Sequence, residues 1–284
     1  MELSIVICSR NENLPEALLD NIRNTIGSCD FEIVAIDNHD GHCNIFQAYN
    51  DGVERSSGDI LCFMHDDISF LSDRWGERVV SALEPSDVGA CAVAGCKVLR
   101  KAPSLLGIGK YNAINVQQPD GTWLDRYSEP TLLATFDGLW FCIKRSCFDR
   151  IRFDDVTYDG FHFYDMDTAI QLHRAGYKIA FVPEIQIRHE SNGCTNVSWL
   201  ESSYKCYQKN KNELPIFATN ERPDAKEMMQ FEMDVIYTSL RLIARYRRWH
   251  LLGQWWQMAS EVLQVKQPKA VWMVLRNHFK KKKA

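Results

Sequence analysis

The sequence predicts an α/β fold, a mostly parallel β-sheet flanked by helices, with a helical extension at the C-terminal end. Three observations predict it. Short apolar, β-branched runs alternate with amphipathic stretches through the N-terminal third, the pattern of strand–helix–strand units with parallel pairing. Polar or acidic residues close these runs: Ser9-Arg10-Asn11-Glu12, Asp37-Asn38 and His65-Asp66-Asp67. Beyond about residue 200 the apolar residues recur at helical spacing alone.

Taken in order, residues 3–9 (LSIVICS) read as a buried strand. Residues 13–26 follow as a helix, with Pro15 near its start and Leu14, Leu18, Leu19, Ile22 and Ile26 on one face. Residues 31–36 (FEIVAI) form a second strand, 45–56 a helix, and 60–64 (ILCFM) a third strand. Residues 74–83 read as helix and 89–95 (GACAVAG) as strand. Residues 97–135, with Pro103, Pro119 and Pro130, are irregular and predict a long excursion over the crevice. Residues 139–143 return to strand. Residues 165–174 predict a short helix closed by Gly176, and 177–182 and 184–189 two more strands. Residues 228–246 and 249–265 predict two helices, with a break near Gly253.

The chain has 284 residues, 45% hydrophobic and 25% charged, which excludes a wholly disordered, collagen-like or coiled-coil protein. No run of about 18 apolar residues occurs, and the first residues lack an export signal. Ten cysteines without such a signal, most inside apolar runs and none as Cys-x-x-Cys, point to a reducing, cytoplasmic setting and buried thiols. The net charge of −4 is unevenly spread. Residues 1–219 hold 20 Lys and Arg against 31 Asp and Glu, and residues 220–284 hold 13 against 6. An acidic domain over 1–219 and a basic extension over 220–284 are therefore expected.

In an open α/β sheet the ligand sits outside the carboxyl ends of the strands. No Gly-x-Gly-x-x-Gly follows the first strand and no Gly-x-x-x-x-Gly-Lys-Ser/Thr occurs, which disfavours a dinucleotide site and removes a P-loop. Adjacent acids such as Asp66 and Asp67 repel unless a cation lies near; a divalent ion or a solvated turn would each account for them. Asp165 and Asp167 open a helix, where one could cap and the other act as a general base. His189 closes a strand and is either structural or a metal ligand. Phe161, His162, Phe163 and Tyr164 form an aromatic cluster, either packing or a platform for a sugar ring.

The segments SRNE, EIVAIDN, AYNDGVERSSGDILCFMHDDI, FDGLWFCIKRSCF and FHFYDMDTAIQLHRAGYKIAFVPEIQIRHES, in that order, resemble a GT-A-fold (Rossmann-like) glycosyltransferase of the family 2 type, like the bacterial sugar transferases that build polysaccharides. The resemblance spans residues 3–191. Tyr164 stands where the family has Glu, and His65 where its Asp-x-Asp has the first acid. It implies an inverting, metal-assisted transfer from a nucleoside diphosphate sugar, UDP by default, to a hydroxyl of a glycan or lipid-linked saccharide. It implies Ser9, Glu12, Asp37 and Asp66 at the nucleotide, and Asp67 and His189, with Asp66, around Mn2+ or Mg2+. It implies Asp137, Trp140 and Asp167 near the donor or acceptor sugar, and Asp165 as the base, ionised at pH 7 like an ordinary carboxylate. A pyrophosphorylase is disfavoured, because no glycine follows the first strand. A non-catalytic nucleotide-sugar-binding module with the same fold is the alternative reading.

The basic extension holds Trp249, Trp255, Trp256 and Trp272, the cluster Arg241, Arg245, Arg247 and Arg248, and four terminal lysines from Lys280 to Lys283. Tryptophan beside arginine and lysine suits a helix lying on an anionic membrane, so a peripheral position on the inner face of the cell membrane is expected. A helical cap, an oligomer contact or a solvated charge run are the other readings. Nucleic acid is not expected, since the larger part of the chain is acidic and no nucleic-acid motif occurs.

Overall fold

In the computed structural model, which describes residues 2–104, 109–191, 193 and 195–267, the chain opens with β1 (Leu3–Ser9), α1 (Glu16–Thr25), β2 (Phe31–Asp37), α2 (Ile45–Arg55) and β3 (Ile60–Met64). It continues through β4 (Ile68–Phe70), α3 (Trp75–Ala82), β5 (Val88–Ala92), β6 (Ala94–Cys96), β7 (Val98–Leu99), β8 (Asn112–Ile114), β9 (Val116–Gln117), β10 (Thr131–Leu133) and β11 (Thr135–Phe136). Then come β12 (Trp140–Lys144), α4 (Tyr164–Arg174), β13 (Lys178–Phe181), β14 (Ile187–His189), α5 (Val197–Asn210), β15 (Ile216–Phe217), α6 (Ala225–Arg245) and α7 (Leu252–Val262).

Seven strands form the central sheet in the order β10-β13-β5-β12-β3-β1-β2. Alternate residues of each strand point to opposite faces, and the sequence supplies apolar side chains for both. Leu61 and Phe63 join the core under α2 and α4, with Phe46, Tyr49, Ala169 and Ile170. Ile60, Cys62 and Met64 join the core under α1 and α3, with Leu18, Ile22, Trp75 and Val79. Gly52 lets α2 lie directly on β1, since a Cβ there would come within 2.3 Å of a Val6 methyl.

The sheet is mixed but mostly parallel, as expected: five of its seven strands run the same way, and β12 and β10 run against them. β1 runs parallel to β2 and β3, and β13 to β5, but β12 is antiparallel to both of its neighbours and β10 to β13. β12 enters from the crevice side after the excursion, so its first residues lie beside the last residues of β3, with Trp140 opposite Met64. This brings Asp137 and Gly138 to the edge where β1 and β3 end. The excursion itself is less irregular than expected. The strand expected over 89–95 leaves the central sheet after Ala92, and β6 pairs instead with β8 and β11. The first helix starts after Pro15 rather than at Asn13, and only Ile187–His189 of the last expected strand is extended.

α6 and α7 pack antiparallel to each other against α5. α6 starts at an Asp224–Glu227 capping box, and Trp255 Nε1 donates to the Ile236 carbonyl (2.8 Å) across the helix pair. The break lies at residues 246–251 and not at Gly253, which falls inside α7. Trp272 and the terminal lysines lie outside the described residues.

A buried polar cluster ties α4 to α5. Asp167, 1% exposed, accepts from Tyr158 Oη (3.2 Å), Gln171 Nε2 (2.8 Å), Lys209 Nζ (2.7 Å) and Asn210 Nδ2 (3.3 Å). Lys209 also reaches Asp154 (2.7 Å). Removing the charge while keeping the shape leaves Lys209 half-compensated. Asp167→Asn is therefore expected to cost about 2 kcal/mol in urea unfolding, the scale of hydrogen bonds to a charged group, with a matching fall in Tm.

Candidate active site

The crevice is built at the shared edge of β1, β3 and β12. Ser9, the last residue of β1, is opposite Asp37 in the register with β2. Ser9 Oγ donates to Asp66 Oδ2 (2.6 Å), and Asn11 Nδ2 reaches the same oxygen (3.3 Å). Asp67 faces elsewhere. β14 pairs antiparallel with β4, and His189 comes beside Asp67, with His189 Nε2 to Asp67 Oδ1 at 3.3 Å. His65 Nδ1 lies 3.9 Å from the same oxygen. Nitrogen or oxygen atoms of His65, Asp67 and His189 all fall within 4.8 Å of one another, a spacing that fits one divalent cation.

The charges of this trio follow from its geometry. Burial alone would raise the Asp67 carboxyl, but hydrogen bonds with His189 and Ser191 and the nearby imidazoles bring it down to about 2. Burial lowers His189, and Asp67 outweighs that and raises it. Burial, reinforced by His189, keeps His65 low despite Asp137 and Asp67. His65 is fixed from behind: its Nε2 lies 2.8 Å from Tyr164 Oη. Were a cation held at Nδ1, Nε2 would carry the proton and donate to the phenol. Gly138 makes room for this, since a Cβ there would sit 2.1 Å from Tyr164 Oη.

Asp165 follows Tyr164 at the start of α4. Phe163, at φ 75°, turns the chain so that Tyr164 goes inward and Asp165 opens onto the cleft. The Gly138 N–H donates to Asp165 Oδ2 (3.0 Å) and the Met166 N–H to Oδ1 (2.7 Å). Burial first, and then the Asp137 carboxylate, push the Asp165 carboxyl up to about 7 against these two donors. His65, Asp137, Gly138, Tyr164, Asp165 and His189 line one cleft of about 440 Å³, with Phe161, Trp199 and Ser104 on its rim.

Residues 4–214 match a protein family described as "Glycosyltransferase like family". The chain belongs to this family. No curated protein matches the chain. Among solved structures, GalNAc-T7 with UDP, GalNAc and Mn2+ is similar over 74% of this chain at 13% identity with a TM-score of 0.51, and this chain spans about half of it (49%). The mannosyltransferase PcManGT from Pyrobaculum calidifontis, in complex with GDP-Man and Mn2+, is similar over 97% of this chain and 84% of its own, at 13% identity and a TM-score of 0.50. At that identity the likeness shows the GT-A fold. This glycosyltransferase thus combines the GT-A fold with a candidate His/Asp/His metal site.

The structure of the glycosyltransferase brings most of the expected residues together and separates a few. Ser9, Asp37 and Asp66 meet at the end of β1, and Glu12 is exposed in the loop beyond. Asp37 is exposed and bonded to His39 (2.8 Å). Asp66 stands apart from the metal trio, because successive strand-end residues point to opposite sides, and His65 takes the place expected of it. Asp167 is walled off from the cleft by Lys209 and Asn210. Trp140 is buried and packs on Phe70 and Trp75 in the core rather than on the cleft. Asp165 does not keep an ordinary carboxylate pKa. The residue that the sequence undervalued is His65. The signal was there: two departures from the family pattern, His65 and Tyr164, are hydrogen-bonded partners. Tyr164→Phe deletes that one oxygen and keeps the ring in its aromatic packing. It is expected to weaken Mn2+ binding roughly tenfold by calorimetry, the usual cost of losing an outer-sphere partner, with Tm nearly unchanged.

Proposed function

We propose that this glycosyltransferase moves a sugar, with inversion, from a nucleoside diphosphate sugar to a hydroxyl of a glycan or lipid-linked saccharide, with Asp165 as general base. The observation that carries the reading is that two members of the trio, His65 and His189, line the same cleft as Asp165 at the carboxyl edge of the sheet, with Asp67 held against His189 beside it. The trio would hold Mn2+ or Mg2+, and such an ion acts as a Lewis acid that stabilises the charge of a departing diphosphate. Ser9, Asp66 and Asp37 offer a hydroxyl and carboxylates to the ribose and base, with Glu12 beyond them. Asp137, next to Asp165, is placed for a donor-sugar or acceptor hydroxyl. Asp165 takes the proton of the attacking hydroxyl as the new bond forms, and a single displacement inverts the anomeric carbon.

The domain division at residue 219 follows the change of charge, and the family match ending at residue 214 supports it. We also place the protein in the cytoplasm, with the basic extension holding it at the inner face of the cell membrane. No helix among the described residues is long and apolar enough to cross a membrane.

The donor is identified by thermal shift with UDP-, GDP- and dTDP-sugars in Mn2+ or Mg2+, since a ligand that binds the folded state raises Tm. UDP- and GDP-sugars come first, because the similar structures hold UDP and GDP-Man. A donor that binds but is neither hydrolysed nor transferred returns the chain to a non-catalytic module.

The raised Asp165 pKa gives the reaction a pH signature. Protonated Asp165 cannot accept a proton, and the group is protonated below about 7. Asp137, Tyr164 and Tyr49 lie close to it, and Asp137 is the neighbour that raises it most. kcat/KM should therefore rise about tenfold per pH unit on the acid side of 7 and level off above it. Asp165→Asn is expected to lose about 10²–10⁴ in kcat while donor affinity stays near wild type. Wild-type turnover in that variant would disprove the base assignment.

A further inference from the structure

The connection between α6 and α7 has features that the transfer reaction does not use. The turn is tight: the Tyr246 N–H donates to Leu242 O (2.9 Å), the Arg248 N–H to Ile243 O (2.9 Å) and the Leu251 N–H to Arg248 O (2.9 Å). Arg247 adopts a left-handed backbone, at φ 54°, where glycine would be the relaxed choice. Leu242, Ile243 and Leu251 fasten the turn from beneath, packed with Leu200 of α5. Above that anchor every residue from 244 to 250 is exposed. Trp249 is 55% exposed, Tyr246 38% and Leu252 36%, three large apolar side chains on one rigid tip.

The charge along this segment has a single sign. From residue 235 to 260 the sequence contains Arg241, Arg245, Arg247 and Arg248 and no acidic residue. Among the described residues none of these arginines forms an ion pair with a carboxylate. Arg241 lies over the Tyr237 ring and Arg245 over the Tyr246 ring. An exposed Trp, Tyr and Leu ringed by arginine, on an otherwise acidic protein, match the chemistry of an anionic bilayer. Apolar side chains enter the boundary between headgroups and acyl chains, and the guanidinium groups stay at the phosphates. A second copy of the tip would be repelled by its own charge. The tip also lies close to the cleft. Trp199 of α5 lines the cleft and packs against the same Leu242, Ile243 and Leu251 anchor.

We propose that the α6–α7 turn is a membrane-docking tip for anionic phospholipid, which sets the cleft at the bilayer surface where a lipid-linked acceptor is held. The supply of that acceptor rests on the transferase reading; the docking itself does not.

The test is co-sedimentation of the full chain with phosphatidylcholine vesicles, with and without phosphatidylglycerol. The wild type is expected to bind only the anionic vesicles, and less as salt rises. The triple variant Arg245→Gln, Arg247→Gln, Arg248→Gln is expected to bind roughly a hundredfold more weakly, at about fivefold per arginine. The double variant Trp249→Ser, Leu252→Ser should also detach. All five side chains are exposed, so Tm should stay at the wild-type value. Replacing Lys280, Lys281, Lys282 and Lys283 by Gln removes a similar charge elsewhere and should leave most binding in place. The proposal is overturned if the wild type ignores anionic vesicles, if the arginine variant binds like the wild type, or if the lysine variant alone abolishes binding. It is also overturned if an oligonucleotide or a second copy of the chain occupies the tip in preference to lipid. Transfer to a water-soluble acceptor should be unchanged in the arginine variant. A wild type that docks but neither binds nor turns over a donor supports the tip and removes the transferase reading instead.

Discussion

Everything at the candidate site depends on one strand pairing. β14 lies against β4 with Ile187 opposite Phe70 and His189 opposite Ile68, and the Glu190 N–H donates to the Asp67 carbonyl (2.9 Å). That register delivers His189 to Asp67 from far along the chain. A slip of one residue would turn His189 to the other face and leave Asp67 without its partner. The register is held by apolar burial, since Ile187, Ile68 and Phe70 all lie in the core under α1 and α3. The same packing that stabilises the fold therefore places the ligand atoms.

Two carboxylates in this region are driven in opposite directions. Asp67 gains hydrogen bonds with His189 and Ser191 and stays ionised. Asp165 has the Asp137 carboxylate as neighbour and is pushed up to about 7. Paired acids with diverging environments commonly divide labour, one holding charge and the other moving protons. The split comes from neighbours and not from residue type, so an adjacent pair such as Asp66 and Asp67 shows nothing of it in the sequence. It also has a thermodynamic side. A carboxyl whose pKa rises on folding favours the native state least once pH exceeds the folded value, so ionised Asp165 costs stability near and above neutrality. Two backbone donors from Gly138 and Met166 limit that cost and fix the carboxylate at the same time.

The strands and helices that form the two cores were legible because their periodicity is strong. LSIVICS, ILCFM and the Leu18, Ile22, Ile26 stripe fold as they read. Periodicity carries no direction, so the antiparallel entry of β12 was hidden, and with it the reason that Asp137 and Gly138 reach the crevice. It carries no depth either. Asp165 and Asp167 are two residues apart in one helical turn, yet one opens on the cleft and the other is held by Lys209 and Asn210, groups supplied by a helix more than thirty residues away. The resemblance put Trp140 near the donor or acceptor sugar, but its strand runs through the middle of the sheet, where a large ring serves the core. His65 and Tyr164 are separate departures from the family pattern in the sequence; the structure makes them hydrogen-bonded partners (2.8 Å).

The C-terminal helices are coupled to the cleft as well as to solvent. Glu232 of α6 is almost fully buried, and accepts from the Lys101 N–H (2.7 Å) and the Ala102 N–H (2.8 Å). Burial raises its carboxyl, and these donors together with Arg100 oppose that rise. A buried acid is retained only where its partners are fixed, so the clasp locks the segment 100–102 onto α6. Two residues further on, Ser104 stands at the cleft rim. On the other side Ser203 of α5 donates to the Pro103 carbonyl (3.3 Å). One rigid helical unit thus grips the rim of the cleft at one place and presents Trp249 and its arginines at another. A surface that engages the tip is therefore connected, through packed side chains and buried hydrogen bonds, to the wall of the cleft.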